Sequence, residues 1–110
     1  MAQALTAGHI VDLPAITSIA KTLGAPAVTE RTLKLTQDHI ESVTVVSDEE
    51  ALRELNYIAE RLKVICEPAS SCNLAAFDKL KDQFTPDSHV VIILCGGNFT
   101  LDSYCQATAK

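Results

Sequence analysis

The sequence predicts an α/β fold: a partial three-layer arrangement in which a mostly parallel sheet is flanked by helices. Three observations carry this. Ser47-Asp48-Glu49-Glu50 opens a run with apolar residues at helical spacing, which marks an amphipathic helix. His89-Val90-Val91-Ile92-Ile93-Leu94 is apolar without interruption over the length of a strand, the pattern of a central parallel strand buried on both faces. The elements then follow in the order helices, strand, helix, short strand, helix, strand, which is the alternation of an α/β domain.

Taken in order, Met1 to Thr6 reads as a helix stopped at Gly8. Asp12-Leu13-Pro14 opens a second short helix with Pro14 near its first position. Ile16, Ile19, Ala20 and Leu23 form its apolar stripe, and Gly24 with Pro26 ends it. Thr29 caps a third helix that runs to about His39-Ile40. The β-branched run Val43-Thr44-Val45-Val46 reads as a strand. In the helix Asp48–Lys63, the positions Ala51, Leu52, Leu55, Ile58, Ala59 and Leu62 share one face, and three acids lie at the positive end of its dipole. Val64-Ile65 is a brief extended piece. Pro68 suits the first turn of a helix continuing to Gln83, small and apolar enough to be largely buried. Pro86-Asp87 turns the chain into His89–Leu94, and two strands separated by helices imply a parallel βαβ relation.

Composition excludes several classes of function. The chain has 110 residues and a formal charge of -5, from 9 Lys+Arg against 14 Asp+Glu. Its length allows one domain with a modest core, and no internal boundary, repeat or low-complexity tract interrupts residues 1–110. The acid excess argues against a nucleic-acid binder, which needs a basic face. Aromatics, at 5%, are too few for a stacking platform. No apolar run reaches the length of a membrane span, and Met1–Asp12 lacks the basic and apolar regions of a signal peptide. Cys66, Cys72, Cys95 and Cys105 lack the dense spacing of a disulfide framework, which favours a reduced, cytoplasmic setting.

Two short motifs can carry chemistry. In Leu94-Cys95-Gly96-Gly97-Asn98, Cys95 would end a strand, at the position where open α/β sheets bind ligands. The glycines would let backbone approach a ligand closely. The same residues are also compatible with a buried cysteine before a turn. In Glu67-Pro68-Ala69-Ser70-Ser71-Cys72, Glu67 stands at a junction between strand and helix. It would either meet the exposed N–H groups of the helix start or project into the crevice that Cys95 faces. His9, His39, His89 and the cysteines share no metal-ligand spacing, so no metal site is expected.

Thr22-Leu23-Gly24-Ala25-Pro26, Val43–Glu50, Cys66-Glu67-Pro68-Ala69-Ser70-Ser71 and Leu94–Asn98, taken in this order, resemble the C-terminal part of the serine/threonine dehydratases. These are pyridoxal-phosphate enzymes of fold type II, with a tryptophan synthase beta-like fold, and are relatives of serine racemase. The resemblance runs from about Ala2 to Leu101 and corresponds to the last third of the family's catalytic unit. It implies that Cys95, which opens the family's (S/C)-G-G-N pattern, faces the pyridine nitrogen of the cofactor. It implies that Gly96, Gly97 and Asn98 shape the loop under the ring. Glu67 matches the Glu of V-E-P-A near the ring, although Cys66 stands where the family often has Val, and Ser70-Ser71-Cys72-Asn73 departs from Gly-Ala-Ala. A neutral thiol beside the ring nitrogen does not force that nitrogen to be protonated, which suits elimination of a β-hydroxyl better than transamination.

The family's Schiff-base lysine segment and glycine-rich phosphate loop do not match any part of these residues, so no catalytic residue is expected among them. The resemblance implies a portion of an ammonia-lyase that converts L-threonine or L-serine to a 2-oxo acid, inactive alone. It would pair with itself or with the missing N-terminal portion. A racemase of the same family, a non-catalytic interaction module and a small regulatory amino-acid-binding domain are the alternatives. The last needs a strand-rich ferredoxin-like pattern that this helix-heavy chain lacks.

Overall fold

The structure is a computed structural model that describes residues 1–109. Five α-helices are assigned among them: α1 (Ala2–Ala7), α2 (Glu30–His39), α3 (Asp48–Leu62), α4 (Pro68–Leu80) and α5 (Leu101–Thr108). Short 3-10 turns occupy Lys21–Leu23 and Lys81–Gln83. The chain divides into two compact units, Met1–Val45 and the residues from Val46 onward.

In the first unit, α1 ends where the sequence indicates. Gly8 takes the left-handed conformation, φ 75°, and its N–H donates to the Ala4 carbonyl. Helix α2 starts at its expected cap, with Thr29 Oγ1 accepting from the Thr32 N–H at 3.1 Å. The helix expected to open at Pro14 does not form. The Leu13 N–H donates to the Pro26 carbonyl at 2.7 Å and closes the intervening residues into a loop. Ser18 Oγ takes the Ala20 N–H, a local side-chain bond that competes with helix. Ile16 packs on Gly24, where an added Cβ would meet Ile16 Cγ2 at 2.5 Å, so Gly24 is the residue that permits the loop to fold on itself. Only Lys21–Leu23 retains a helical turn.

The second unit is built on α3 and α4. The capping box is present in full: the Glu50 N–H donates to Ser47 Oγ at 3.2 Å, and the Ser47 N–H donates to the Glu50 carboxylate at 2.6 Å. These bonds, and Lys79 at 2.9 Å, hold the Glu50 carboxyl below its usual range. Leu55, Ile58 and Cys66 form the core, with Leu52, Leu74, Phe99 and Tyr104 packed against it. The Ser71 hydroxyl lies between the Ala51 carbonyl, 2.7 Å, and the Pro68 carbonyl, 3.0 Å, and so ties the start of α4 to α3. Tyr104 on α5 donates to Asn56 Oδ1 at 2.8 Å. Helix α5 is not among the elements the sequence predicts; Thr100 caps it, its Oγ1 accepting from the Ser103 N–H at 3.1 Å.

The two expected strands, Val43–Val46 and His89–Leu94, are not strands among the described residues, and no ladder joins them. A strand is defined by neighbours that take its N–H and C=O groups. Around the second run the structure supplies only scattered bonds, such as Asn73 Nδ2 donating to the Ile93 carbonyl at 2.6 Å. The burial expected on both faces is also missing, since Val91 is 85% and Ile93 66% exposed. Helix α4 is buried at its start and more open beyond Ala75, and it gives way to the 3-10 turn at Lys81.

Candidate functional site

The two motifs meet in the second unit. Glu67 immediately precedes α4, and Pro68 at the first helical position needs no N–H partner there. The Glu67 N–H donates to the Gly96 carbonyl at 3.2 Å, which fastens the head of α4 to the Cys95-Gly96 corner. The Glu67 side chain, 8% exposed, makes no capping bond to its own helix. Its carboxylate instead lies over Gly96, and a Cβ on Gly96 would fall on Glu67 Oε1. The Glu67 side chain therefore packs against the motif that carries Cys95 and does not cap its own helix.

Gly96 and Gly97 differ in what they do. Gly96 must lack a side chain because Glu67 fills that space, whereas a Cβ on Gly97 would meet only the Ile65 carbonyl oxygen, at 3.6 Å. Cys95 and Asn98 are exposed, and Phe99 turns back to the core cluster. Cys95 is thus not the buried cysteine of the alternative reading. Ser70, with no role assigned from sequence, completes the corner. Its Oγ bonds both the N–H and the carbonyl of Gly96 at 3.0 Å and lies 3.6 Å from Cys95 Sγ. The visible signal was its place three residues after Glu67, in the first turn of a helix that follows directly on that junction.

The neighbouring thiols are of another kind. Burial pushes the Cys66 and Cys72 thiols above their ordinary value, with lesser contributions from Cys95 and Glu67 at Cys66, and from Asp48 and Cys95 at Cys72. A raised thiol pKa leaves less of each in the nucleophilic thiolate form. All four cysteines are free, and no cluster of three or more metal-ligating side chains occurs among the described residues. No helix there is long and apolar enough to cross a membrane.

A family profile described as pyridoxal-phosphate dependent enzyme matches residues 1–96. The chain belongs to this family. Its fold agrees with that assignment. The chain superposes on a fungal L-serine ammonia-lyase from Rhizomucor miehei with a TM-score of 0.87 at 24% identity, over 98% of this chain and 36% of that one. It superposes on maize serine racemase with a TM-score of 0.81 at 33% identity, over 96% and 34% of the two chains. The chain is therefore a portion of a fold type II α/β architecture, as the sequence predicts, even though no ladder forms among the described residues. Among curated proteins, it is 40% identical over 103 residues to the human L-serine dehydratase/L-threonine deaminase, covering 86% of this chain and 31% of that protein. It is 28% identical over 99 residues to the L-threo-3-hydroxyaspartate ammonia-lyase of a Pseudomonas species. The chain spans about a third of the length of the curated relatives it matches.

The Cys95 corner fits the family's cofactor. It offers an exposed small thiol and a glycine pair without Cβ atoms, backed by a buried carboxylate and a buried hydroxyl. A glycine pair without Cβ atoms leaves room for backbone to approach a ligand closely.

Proposed function

We propose that the chain forms the C-terminal part of a pyridoxal-phosphate-dependent serine/threonine ammonia-lyase. The observation that carries this reading is the joining of Cys95-Gly96 to Glu67 at the head of α4, in a chain 40% identical to an L-serine dehydratase/L-threonine deaminase. Bound pyridoxal phosphate supplies an electron sink for bond cleavage at the substrate's α-carbon. Cys95 would stand beside the ring nitrogen, and Gly96, Gly97 and Asn98 would form the adjoining wall. Glu67 supports that wall through Gly96. None of these residues moves a proton on the substrate; their part is to hold the ring and leave its nitrogen without an anionic partner. L-Serine and L-threonine are the proposed substrates, and the remainder of the catalytic unit or a second copy is the proposed partner.

A titration tests this. Pyridoxal phosphate is added to the chain alone and to the chain mixed with the N-terminal two thirds of a relative's catalytic unit. Cofactor absorbance and release of a 2-oxo acid from L-serine or L-threonine are then followed. We expect both signals only in the mixture. In that mixture Cys95→Ser retains most of the elimination rate, whereas Cys95→Asp, which places an anion at the ring nitrogen, slows it. Equal rates for the parent, Cys95→Ser, Cys95→Ala and Cys95→Asp would show that Cys95 does not face the ring. The 33% identity to maize serine racemase supports racemisation as a second reading. Appearance of the D-amino acid without 2-oxo acid in the same assay would select it.

A further inference from the structure

The most fully engaged polar group beside Cys95 is the hydroxyl of Ser70. Ser70 is 0% exposed. Its Oγ accepts from the Gly96 N–H at 3.0 Å, donates to the Gly96 carbonyl at 3.0 Å, and lies 3.6 Å from Cys95 Sγ. A serine hydroxyl has one proton and two acceptor lone pairs. The carbonyl is the stronger acceptor and takes the proton, and the Gly96 N–H takes one lone pair. One lone pair is left, and the only way it can bond Cys95 is to receive the S–H.

We infer that Ser70 is a positioning residue that fixes the direction of the Cys95 thiol proton. It clamps the Gly96 backbone by its N–H and its carbonyl and draws the S–H inward, which turns the sulfur lone pairs toward the exposed side. A group approaching Cys95 from that side then meets a weak sulfur acceptor. Beside a pyridine nitrogen, such a sulfur neither delivers a proton nor holds one firmly. This functional consequence rests on the proposed cofactor reading, but the hydrogen-bond assignment does not.

The test uses the S–H stretching band of the 110-residue chain in infrared or Raman difference spectra. The Cys95 band is assigned by its loss in Cys95→Ser. We expect it in the parent at a frequency lowered below that of a thiol bonded to water alone. In Ser70→Ala it should rise to the frequency of the water-exposed Cys105 thiol, the Cys66 and Cys72 bands should stay in place, and the Gly96 amide should exchange roughly 2- to 13-fold faster, the worth of one neutral hydrogen bond. Ser70→Thr, which restores a hydroxyl, should restore the lowered band. A merely packing role for Ser70 would leave the Cys95 band unmoved, and that result overturns the proposal. Should Ser70→Ala fail to fold, the parent spectrum still decides. A Cys95 band at the frequency of the exposed Cys105 thiol refutes the assignment, because water hydrogen-bonds both. A lower band supports it, because Ser70 Oγ is the further partner the structure gives Cys95. The spectra contain no cofactor and are independent of the titration above. A lowered band without cofactor binding refutes only the functional reading, and cofactor binding with a band at the Cys105 frequency refutes only the Ser70 assignment.

Discussion

Gly96 carries no side chain because Glu67 occupies the space one would need. Its neighbour is under no such constraint, since a Cβ on Gly97 would make only an ordinary contact with the Ile65 carbonyl. The two glycines look equivalent in the sequence, and their environments separate them. Gly96→Ala should force the buried Glu67 carboxylate aside and cost about 1–3 kcal/mol, the range for overpacking a filled site. Gly97→Ala should change stability by less than about 0.5 kcal/mol. Urea denaturation followed by circular dichroism measures both, and equal midpoints for the two variants would contradict the packing of Glu67 on Gly96.

Helix α3 is the element whose sequence signals and structure agree most closely. Its reciprocal cap, acidic first turn and apolar face all act in one direction, and its inward residues Leu55 and Ile58 supply the core. Helix α4 is stitched to it by the Ser71 hydroxyl and by Lys79 pairing with Glu50 at 2.9 Å. Ser47→Ala removes the side-chain half of the cap and should destabilise the unit by about 0.5–2 kcal/mol. The Glu50 half depends on pH. Its folded carboxyl lies below the ordinary range of a glutamate, so its contribution is complete above that range and is lost as pH falls through the lowered folded value. Thermal melts of parent and Glu50→Gln should therefore differ near neutrality and converge in strong acid. A difference that persists below both values would place the effect elsewhere.

At the scale of the whole molecule, the unusual property is apolar surface. Val91 and Ile93 are exposed at 85% and 66%, in a run whose composition is that of a strand buried on both faces. Exposed apolar residues along one unpaired segment offer a template for association. We expect the 110-residue chain to self-associate, with sedimentation velocity showing species larger than a monomer that grow with concentration. Val91→Lys with Ile93→Lys should shift that distribution toward the monomer. A compact monomer at every concentration, with sharp and well-dispersed amide spectra, would count against this view of the surface.

Local signals were enough for the elements that local chemistry controls. Gly8 ends α1, Thr29 starts α2, Ser47 and Glu50 start α3 and Pro68 starts α4, because a cap or a terminator acts within four residues of itself. The order of the motifs likewise pointed to the family that the matched residues 1–96 establish. Local reading failed at Pro14, where a hydrogen bond between Leu13 and Pro26 outweighed helical spacing. It failed at α5, where Thr100 is a lone capping residue with no strong apolar periodicity after it. It failed again at Val90–Leu94, where β-branched composition describes a surface able to pair but cannot supply the neighbour. The site shows the same division. Cys95, Gly96 and Glu67 were legible as motif residues, but the seating of Glu67 on Gly96, and the closing of the corner by Ser70, were decided only by tertiary structure. Residues 25 or more positions apart share a hydrogen bond only after the chain has folded, and no local pattern records which of them will meet.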